Sequence, residues 1–300
     1  MPRVVSIGEC MVEIGPAEVP GLFRMGFAGD TFNTAWYLRH RLPADWAVDY
    51  LSAVGTDAAS ASMLAFMEAA RIGTGHIARL PDATVGLYLI ELKHGERSFS
   101  YWRGQSAAKR LAEDDGRLRG ALAGADLAYL SGITLAILAP PDRTRLLSAL
   151  DDYRTAGGRV AFDPNLRLRL WPSPAAMTEA LTEAARHADI ALPSFEDDAA
   201  AFGDAAPEAC ATRYAALGAR EVVVKNGAGR MTALEGGAWQ AHDPVPAREV
   251  VDTTAAGDSF NAGYLACRLT GGTVAEALAA GSALAARVVG GRGALVEAAV

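Results

Sequence analysis

Residues 252–263 read DTTAAGDSFNAG and run straight into the helix-like pattern YLACRL. Two carboxylates, two threonines and a serine are grouped there around small residues, and two chemistries fit. In the first, the Gly-Asp-Ser triplet at 257–259 makes Ser259 a nucleophile. Such a serine needs a histidine base within hydrogen-bond reach. In esterases with this triplet that histidine lies near the C-terminus, and here none follows His242. In the second, Ala255, Ala256 and Gly257 precede a helical run at 258–270 and leave backbone N–H groups pointing along the helix axis. Those groups and the helix dipole bind an anion without a basic side chain, and small residues let a phosphate come close. Asp258, beside the anion, is then placed to take a proton from an attacking hydroxyl. From spacing alone, Asp258 fits an N-terminal helix cap equally well.

Other motifs carry less. GTGHIA (73–78) has loose dinucleotide-loop spacing, but it follows a helical pattern and precedes a strand, the reverse of what that loop requires. The sequence has no G-x-x-x-x-G-K-[ST] and no H-E-x-x-H, and its five histidines are scattered. Cys10, Cys210 and Cys267 are odd in number and widely separated, which suits small buried hydrophobes in a reducing cytosol. A net charge of −7 and a pI near 5.3 argue against a nucleic-acid partner. The N-terminus leads directly into a β-like segment, and the longest apolar run, LAYLSGITLAILAPP, is too short and broken to span a bilayer. A cytoplasmic protein without membrane contact is expected.

These residues need a frame to hold them. Apolar runs at 4–8, 126–132, 159–165, 189–194 and 221–227 alternate with helical patterns at 140–156, 174–188 and 207–218. That alternation predicts a mostly parallel sheet covered on both faces, with ligands bound beyond the carboxyl ends of its strands. Residues 10–28 and 84–103 break the rhythm. The second stretch reads as a β-hairpin around the turn HGE, and the first could supply its partner strands. A small sheet of this kind should cover the pocket, another subunit, or both. The expected division is a main domain of 1–9, 29–83 and 104–300 with a β-sheet lid of 10–28 and 84–103.

DTTAAGDSFNAGYLA resembles the C-terminal signature of the ribokinase-like (PfkB) carbohydrate kinases, and FAGDTFNTAWYL (27–38) resembles their N-terminal G-G-x-x-x-N signature, with Ala28 for the first glycine. The likeness runs from IGECM (7–11) to GGRGAL (290–295). GERSFSYWR, YLSGITLAIL, FDPNLRLRLW and DTTAAGDSF are most similar to the members that act on 2-keto-3-deoxygluconate. The resemblance implies a three-layer α/β/α sandwich with a β-sheet lid, often shared across a dimer. It implies Asp258 as general base and the backbone of Ala255, Ala256, Gly257 and Asp258 as anion hole. Gly29, Asp30 and Asn33 match the sugar-hydroxyl contacts, and Ser194, Lys225, Gly227 and Gly229 fall toward the nucleotide. Glu196 matches a glutamate that organises Mg²⁺ through water, although Pro193 replaces the asparagine of that motif. ATP and Mg²⁺ are the implied cofactors. A monovalent cation (K⁺) near Asp252 and the GGRG turn is left open, and so is the oligomer beyond a lid-mediated dimer.

The lid residues bear on the substrate. An acid sugar brings a carboxylate that must be paired when desolvated. Phe99, Tyr101 and Arg103 share a face by the two-residue strand period, and Tyr88 alternates with Gly86 and Ile90. Arg103 on the lid and Arg167 beyond the strand ending at Asp163 are the expected partners of that carboxylate, with Asn165 on a hydroxyl. The alternatives are a kinase of the same family acting on fructose, ribose or a nucleoside, or a non-catalytic sugar or nucleotide sensor.

Overall fold

The structure, a computed structural model, describes residues 1–300 apart from 18, 20, 94 and 95; for 92, 93, 96 and 97 it describes the backbone. The strands are β1 (Arg3–Ile7), β2 (Met11–Pro16), β3 (Phe23–Ala28), β4 (Ala47–Val54), β5 (Ile77–Arg79), β6 (Leu87–Lys93), β7 (Glu96–Trp102), β8 (Leu127–Ser131), β9 (Arg159–Asp163), β10 (Ile190–Ala191), β11 (Glu221–Val224), β12 (Met231–Glu235) and β13 (Ala238–His242). The helices are α1 (Asp30–Arg41), α2 (Ala58–Ala69), α3 (Asp115–Leu122), α4 (Gly132–Ile137), α5 (Pro140–Thr155), α6 (Pro174–Arg186), α7 (Phe195–Phe202), α8 (Pro207–Ala216), α9 (Ala256–Leu269) and α10 (Val274–Val288).

The main sheet runs β13-β12-β11-β10-β9-β8-β1-β4-β5. From β11 to β5 neighbours are parallel, and β12 and β13 add an antiparallel edge. Alternate residues of each parallel strand supply two separate cores. Val5, Ala128, Leu130, Val160 and Phe162 face α3, α5, α6 and α8. Val4, Leu127, Tyr129 and Ala161 face α1, α2, α9 and α10. Burial on both faces is why these strands read as continuous apolar runs. Local signals set the helix starts: Ser173 caps α6 ahead of Pro174, and Thr273 and Glu276 form a capping box on α10. Helices α9 and α10 touch closely, because a side-chain carbon on Gly263 would lie 2.9 Å from the Gly281 Cα.

The second sheet runs β3-β2-β6-β7, so the 10–28 stretch does supply the partner strands of the 84–103 hairpin. The expected HGE turn falls at residues 94 and 95, outside the described residues. This sheet carries Tyr88, Phe99 and Tyr101 on the face turned to the body. The carboxyl ends of β1, β8, β9 and β11 point toward that face, which makes the gap between the two sheets the place for a site. No helix among the described residues is long and apolar enough to cross a membrane.

Candidate active site

A cavity of about 710 Å³ lies between the lid and the strand ends. Gly29, Asp30, Asn33, Tyr88, Tyr101, Arg103, Asn165, Arg167, Ser194, Lys225 and the run Ala255 to Asp258 all line it. Three expected residues are not among its lining. Gly227 and Gly229 occupy an exposed turn after β11, closed by the Gly229 amide donating to the Asn226 carbonyl at 2.7 Å. Glu196 is exposed on the first turn of α7, while its neighbour Asp197 reaches the cavity wall.

The turn at 252–258, expected to hold an anion, has one unexpected detail. Ala255 is the residue before α9 and adopts the left-handed conformation at φ 59°. No side chain caps the helix, and the Ala256 amide turns back to the Thr253 carbonyl at 3.2 Å. The amides of Gly257 and Asp258, in the first turn, lie where a helix offers no internal acceptor. Asp258 therefore sits inside the helix and is not its cap. Ser259 is fully buried, with its hydroxyl donating to the Ala256 carbonyl at 3.0 Å, so it is withdrawn from the cavity.

The Asp258 carboxylate accepts a hydrogen bond from Asn33 Nδ2 at 2.8 Å. Asn33 is fixed by its own turn: its amide donates to the Gly29 carbonyl at 2.7 Å, and its Oδ1 accepts from the Gly29 amide at 3.3 Å. Gly29 has to be glycine, because a side-chain carbon would fall 2.1 Å from the Glu9 carbonyl oxygen. Two further carboxylates lie close by. Asp30 accepts from Asn165 Nδ2 at 2.8 Å. Asp163, 3 % exposed at the end of β9, accepts from Lys225 Nζ at 2.8 Å and from Asn261 Nδ2 at 2.6 Å. Burial, with Asp30 and then Asp163 adding negative charge, pushes the Asp258 carboxyl up to about 8 against the relief from Asn33 and Lys225. Burial also raises Asp30.

Lys225, expected near the nucleotide, is buried and ties Asp163 to Asn261, accepted by the latter's Oδ1 at 3.2 Å. A side-chain carbon on Gly257 would lie 3.6 Å from its ammonium, so the charge stands beside the anion turn. Asp163 was singled out only as a strand end on the candidate pocket wall, and Asn261 was not singled out. Their signal was a strand ending in a carboxylate and an asparagine three residues after Asp258.

On the lid side, Tyr88, Tyr101 and Phe99 form a row of rings, with Tyr101 stacked 5.8 Å from Tyr88 and 6.2 Å from Phe99. Arg103, expected to offer its charge to a substrate carboxylate, lines the cavity. Its guanidinium is already paired with Glu9, which is 2 % exposed and also accepts from Ser106. Arg167 lies 3.5 Å from Asp197 and donates to its own neighbour's carbonyl, that of Leu166, at 2.7 Å. Arg169, not singled out from the sequence, also lines the cavity. Asp252 lies in a loop and does not end a strand. Its carboxylate accepts from Thr254 Oγ1 at 2.7 Å and from the Gly293 amide at 2.6 Å, which joins the anion turn to the GGRG segment.

Comparison with known proteins bears on the family and the fold. A family described as pfkB family carbohydrate kinase matches residues 1–298. The chain is 40 % identical to a 2-dehydro-3-deoxygluconokinase of Escherichia coli strain K12, covering 98 % of this chain and 97 % of that one. It is 39 % identical to the protein of the same name from Dickeya dadantii, over 98 % and 96 %. Among solved structures, a PfkB protein from Polaromonas superposes with a TM-score of 0.84 at 29 % identity, over 97 % of both chains. A structure described as ribokinase II from E. coli, in complex with ATP and Mg²⁺, superposes with a TM-score of 0.84 at 25 % identity, over 98 % of this chain and 94 % of that one. The chain belongs to the pfkB family of carbohydrate kinases.

Proposed function

We propose that the protein transfers the γ-phosphoryl group of ATP to the terminal hydroxyl of 2-keto-3-deoxygluconate, giving 2-keto-3-deoxy-6-phosphogluconate and ADP. The observation that carries this reading is Asp258, held by Asn33 at the uncapped start of α9 in a cavity roofed by Tyr88, Tyr101 and Phe99. The relatives named 2-dehydro-3-deoxygluconokinase support the substrate, and the neighbour with ATP and Mg²⁺ supports the cofactors.

In this reading the substrate hydroxyl hydrogen-bonds to the Asp258 carboxylate and attacks the γ-phosphorus as the bond to the ADP oxygen breaks. Asp258 takes the hydroxyl proton, and the Gly257 and Asp258 amides hold the developing charge on the transferred group. Gly29, Asp30, Asn33 and Asn165 orient the sugar. Ser194, Lys225 and the Gly227–Gly229 turn form the nucleotide side. The oxygen donors of Glu196 and Asp197 suit a hydrated Mg²⁺, which when bound would neutralise phosphate charge; Glu196 would act through water. Closing the lid over the sugar excludes water, a competing acceptor. The enzyme of this reading consumes ATP and fits a cytoplasmic location, and its lid joins two copies in a dimer.

Asp258→Asn tests the assignment: ATP binding stays and turnover falls by roughly 10²-fold or more. Near-normal turnover in that variant would exclude Asp258 as the base. A panel of 2-keto-3-deoxygluconate, fructose, ribose and a nucleoside with ADP detection tests the substrate, and a neutral sugar as the best acceptor would displace the acid-sugar reading.

A further inference from the structure

Asp163, Lys225 and Asn261 are 3 %, 8 % and 0 % exposed, and the reaction proposed above uses only the lysine. They come from the end of β9, the residue after β11 and the second turn of α9. Between β9 and β11 lies β10, which is two residues long, so the lysine side chain crosses beyond its end. It spans two strand spacings, about 10 Å, to reach Asp163. Asp163 Oδ2 accepts from Lys225 Nζ at 2.8 Å and from Asn261 Nδ2 at 2.6 Å, and its Oδ1 accepts from the Asn165 amide at 3.0 Å. Asn261 Nδ2 also donates to the Tyr129 hydroxyl at 3.0 Å, and its Oδ1 accepts from Lys225 at 3.2 Å. An ammonium has three N–H groups, and these bonds use two. Among the described residues the third has no acceptor, and the ammonium borders the cavity beside Gly257.

We propose that Asp163 and Asn261 are positioning residues for phosphoryl transfer, holding two N–H groups of Lys225 so that the third faces the anion turn. The inference rests on the ATP-dependent reading above and deepens it. A lysine is a point charge on a flexible four-carbon stem, and by itself it follows whichever phosphate oxygen is nearest. Two fixed acceptors settle where the charge stands before the transferred group arrives, which is the condition for charge stabilisation without reorganisation. A buried ion pair is weak evidence for stability, since apolar side chains would close the same wall. An apolar wall could not leave a fixed N–H at the cavity. The sum of charges fits the same role. Asp163 and Lys225 together add nothing to the negative charge of Asp30 and Asp258, whereas Asp163 alone would repel an incoming phosphate. Lys225 without Asp163 would stand as an unmatched cation beside the base.

The test uses the full-length protein with Lys225→Met, Asp163→Asn, Asn261→Ser, and each of the last two combined with Lys225→Met. Asparagine has one acceptor oxygen, which can keep the Asn165 amide, so Asp163→Asn releases the lysine and spares the sugar side. With 2-keto-3-deoxygluconate, Lys225→Met and Asp163→Asn should each lower kcat by about 10- to 100-fold, the range for one charge-assisted contact, with the sugar KM within about threefold. Once Lys225 is methionine, Asp163→Asn should cost less than about threefold more, because no ammonium remains to aim. The pH profile is a second readout. Asp258 is faced by Asp30, Asn33 and Tyr37 of α1, Tyr129 of β8, Asp163 of β9 and Lys225 after β11. Asp163 raises its carboxyl and Lys225 lowers it, so the rising limb should move down in Asp163→Asn and up in Lys225→Met. A wall that is merely loosened would not move the two in opposite directions. Calorimetric binding of ATP and of ADP, with Mg²⁺ and without sugar, separates this inference from the reaction assignment. Both single variants should weaken ATP by about tenfold and leave ADP within about twofold, because the lysine faces the terminal phosphate. That pattern in a protein that phosphorylates none of the sugars tried sinks the transfer reading and leaves the placement of Lys225 standing. Losses that multiply in the double variant, or limbs that do not part, overturn the inference alone. If Asp163→Asn does not fold, Asn261→Ser decides. A kcat loss that vanishes once Lys225 is methionine supports the inference, and an unchanged kcat overturns it.

Discussion

Asp258 gathers opposing demands into one carboxyl. As the proposed base it must be ionised, yet burial beside Asp30 and Asp163 pushes this group up to about 8. The free enzyme therefore carries it largely protonated at neutral pH. We expect kcat/KM for the sugar to climb from pH 6 and level above about 8, with Asp258→Asn flattening that limb; a wild-type profile flat from pH 6 upward would contradict the assigned base. Stability should move the other way. A carboxyl raised by folding favours the folded state most at low pH and loses that contribution as pH rises through its folded value. The Tm advantage of Asp258→Asn over wild type should accordingly grow between about pH 4 and 8 and then stay constant, as thermal melts across that range would record. Ala255 holds a second tension. Its left-handed backbone at φ 59° costs an alanine about 1–2 kcal/mol. Glycine avoids this, and its greater freedom when unfolded offsets part of the gain. Ala255→Gly should stabilise the fold by about 0.5–1 kcal/mol in denaturant melts, and a loss of stability would mean the turn does not hold the strained form. Small residues before a helix showed in the sequence that a turn belongs here. The sign of φ at 255 did not, because alanine rarely takes it.

At the scale of elements, the parallel strands were legible because both of their faces are buried, which leaves uninterrupted apolar runs in β1, β8, β9 and β11. The lid was legible through its two-residue alternation. The antiparallel edge of β12 and β13 was missed: β13 is largely exposed, with Trp239 about half open, so its pattern is mixed. Partner choice was also beyond reach. Arg103 was read as a ligand residue because its face was clear, while its counter-ion Glu9 lies 94 positions earlier, just beyond β1. That pair fastens the lid strand to the body beside Gly86, where a side-chain carbon would lie 2.8 Å from Glu9 Oε1. Removing the arginine leaves a buried carboxylate unmatched, a loss of about 3 kcal/mol or more. Arg103→Ala should therefore lower Tm by on the order of 5 °C, and adding Glu9→Gln should restore much of it. If the double variant melts no higher than the single, the pair is not what joins lid to body.

At the scale of the whole molecule, the lid has a second face. Register places Val12, Ile14 and Pro16 of β2 beside Phe27, Met25 and Phe23 of β3, while Leu87 of β6 faces Trp102 of β7. By strand alternation all of these point away from the cavity. Near the body this face is covered, with Phe27 packed 5.4 Å from Phe66 of α2. Farther out, Phe23, Met25 and Trp102 are 57 %, 59 % and 59 % exposed, with Leu22 alongside at 58 %. A four-stranded sheet apolar on both faces cannot satisfy the outer one alone, and a patch of large side chains of this kind marks an association surface. We propose a second copy as its partner, since a two-fold contact presents the same apolar face from each side. Closing such a pair would stiffen each lid over its own cavity. Phe23→Glu with Met25→Glu should convert the dimer to monomer in light scattering after gel filtration, with Tm of the body little changed because both side chains are exposed. The monomer should also show a higher KM for the sugar, its lid lacking the partner's support, while the ATP side is unaffected. A wild type that is monomeric at micromolar concentration, or a dimer that survives both glutamates, would assign the apolar face to something other than a second copy.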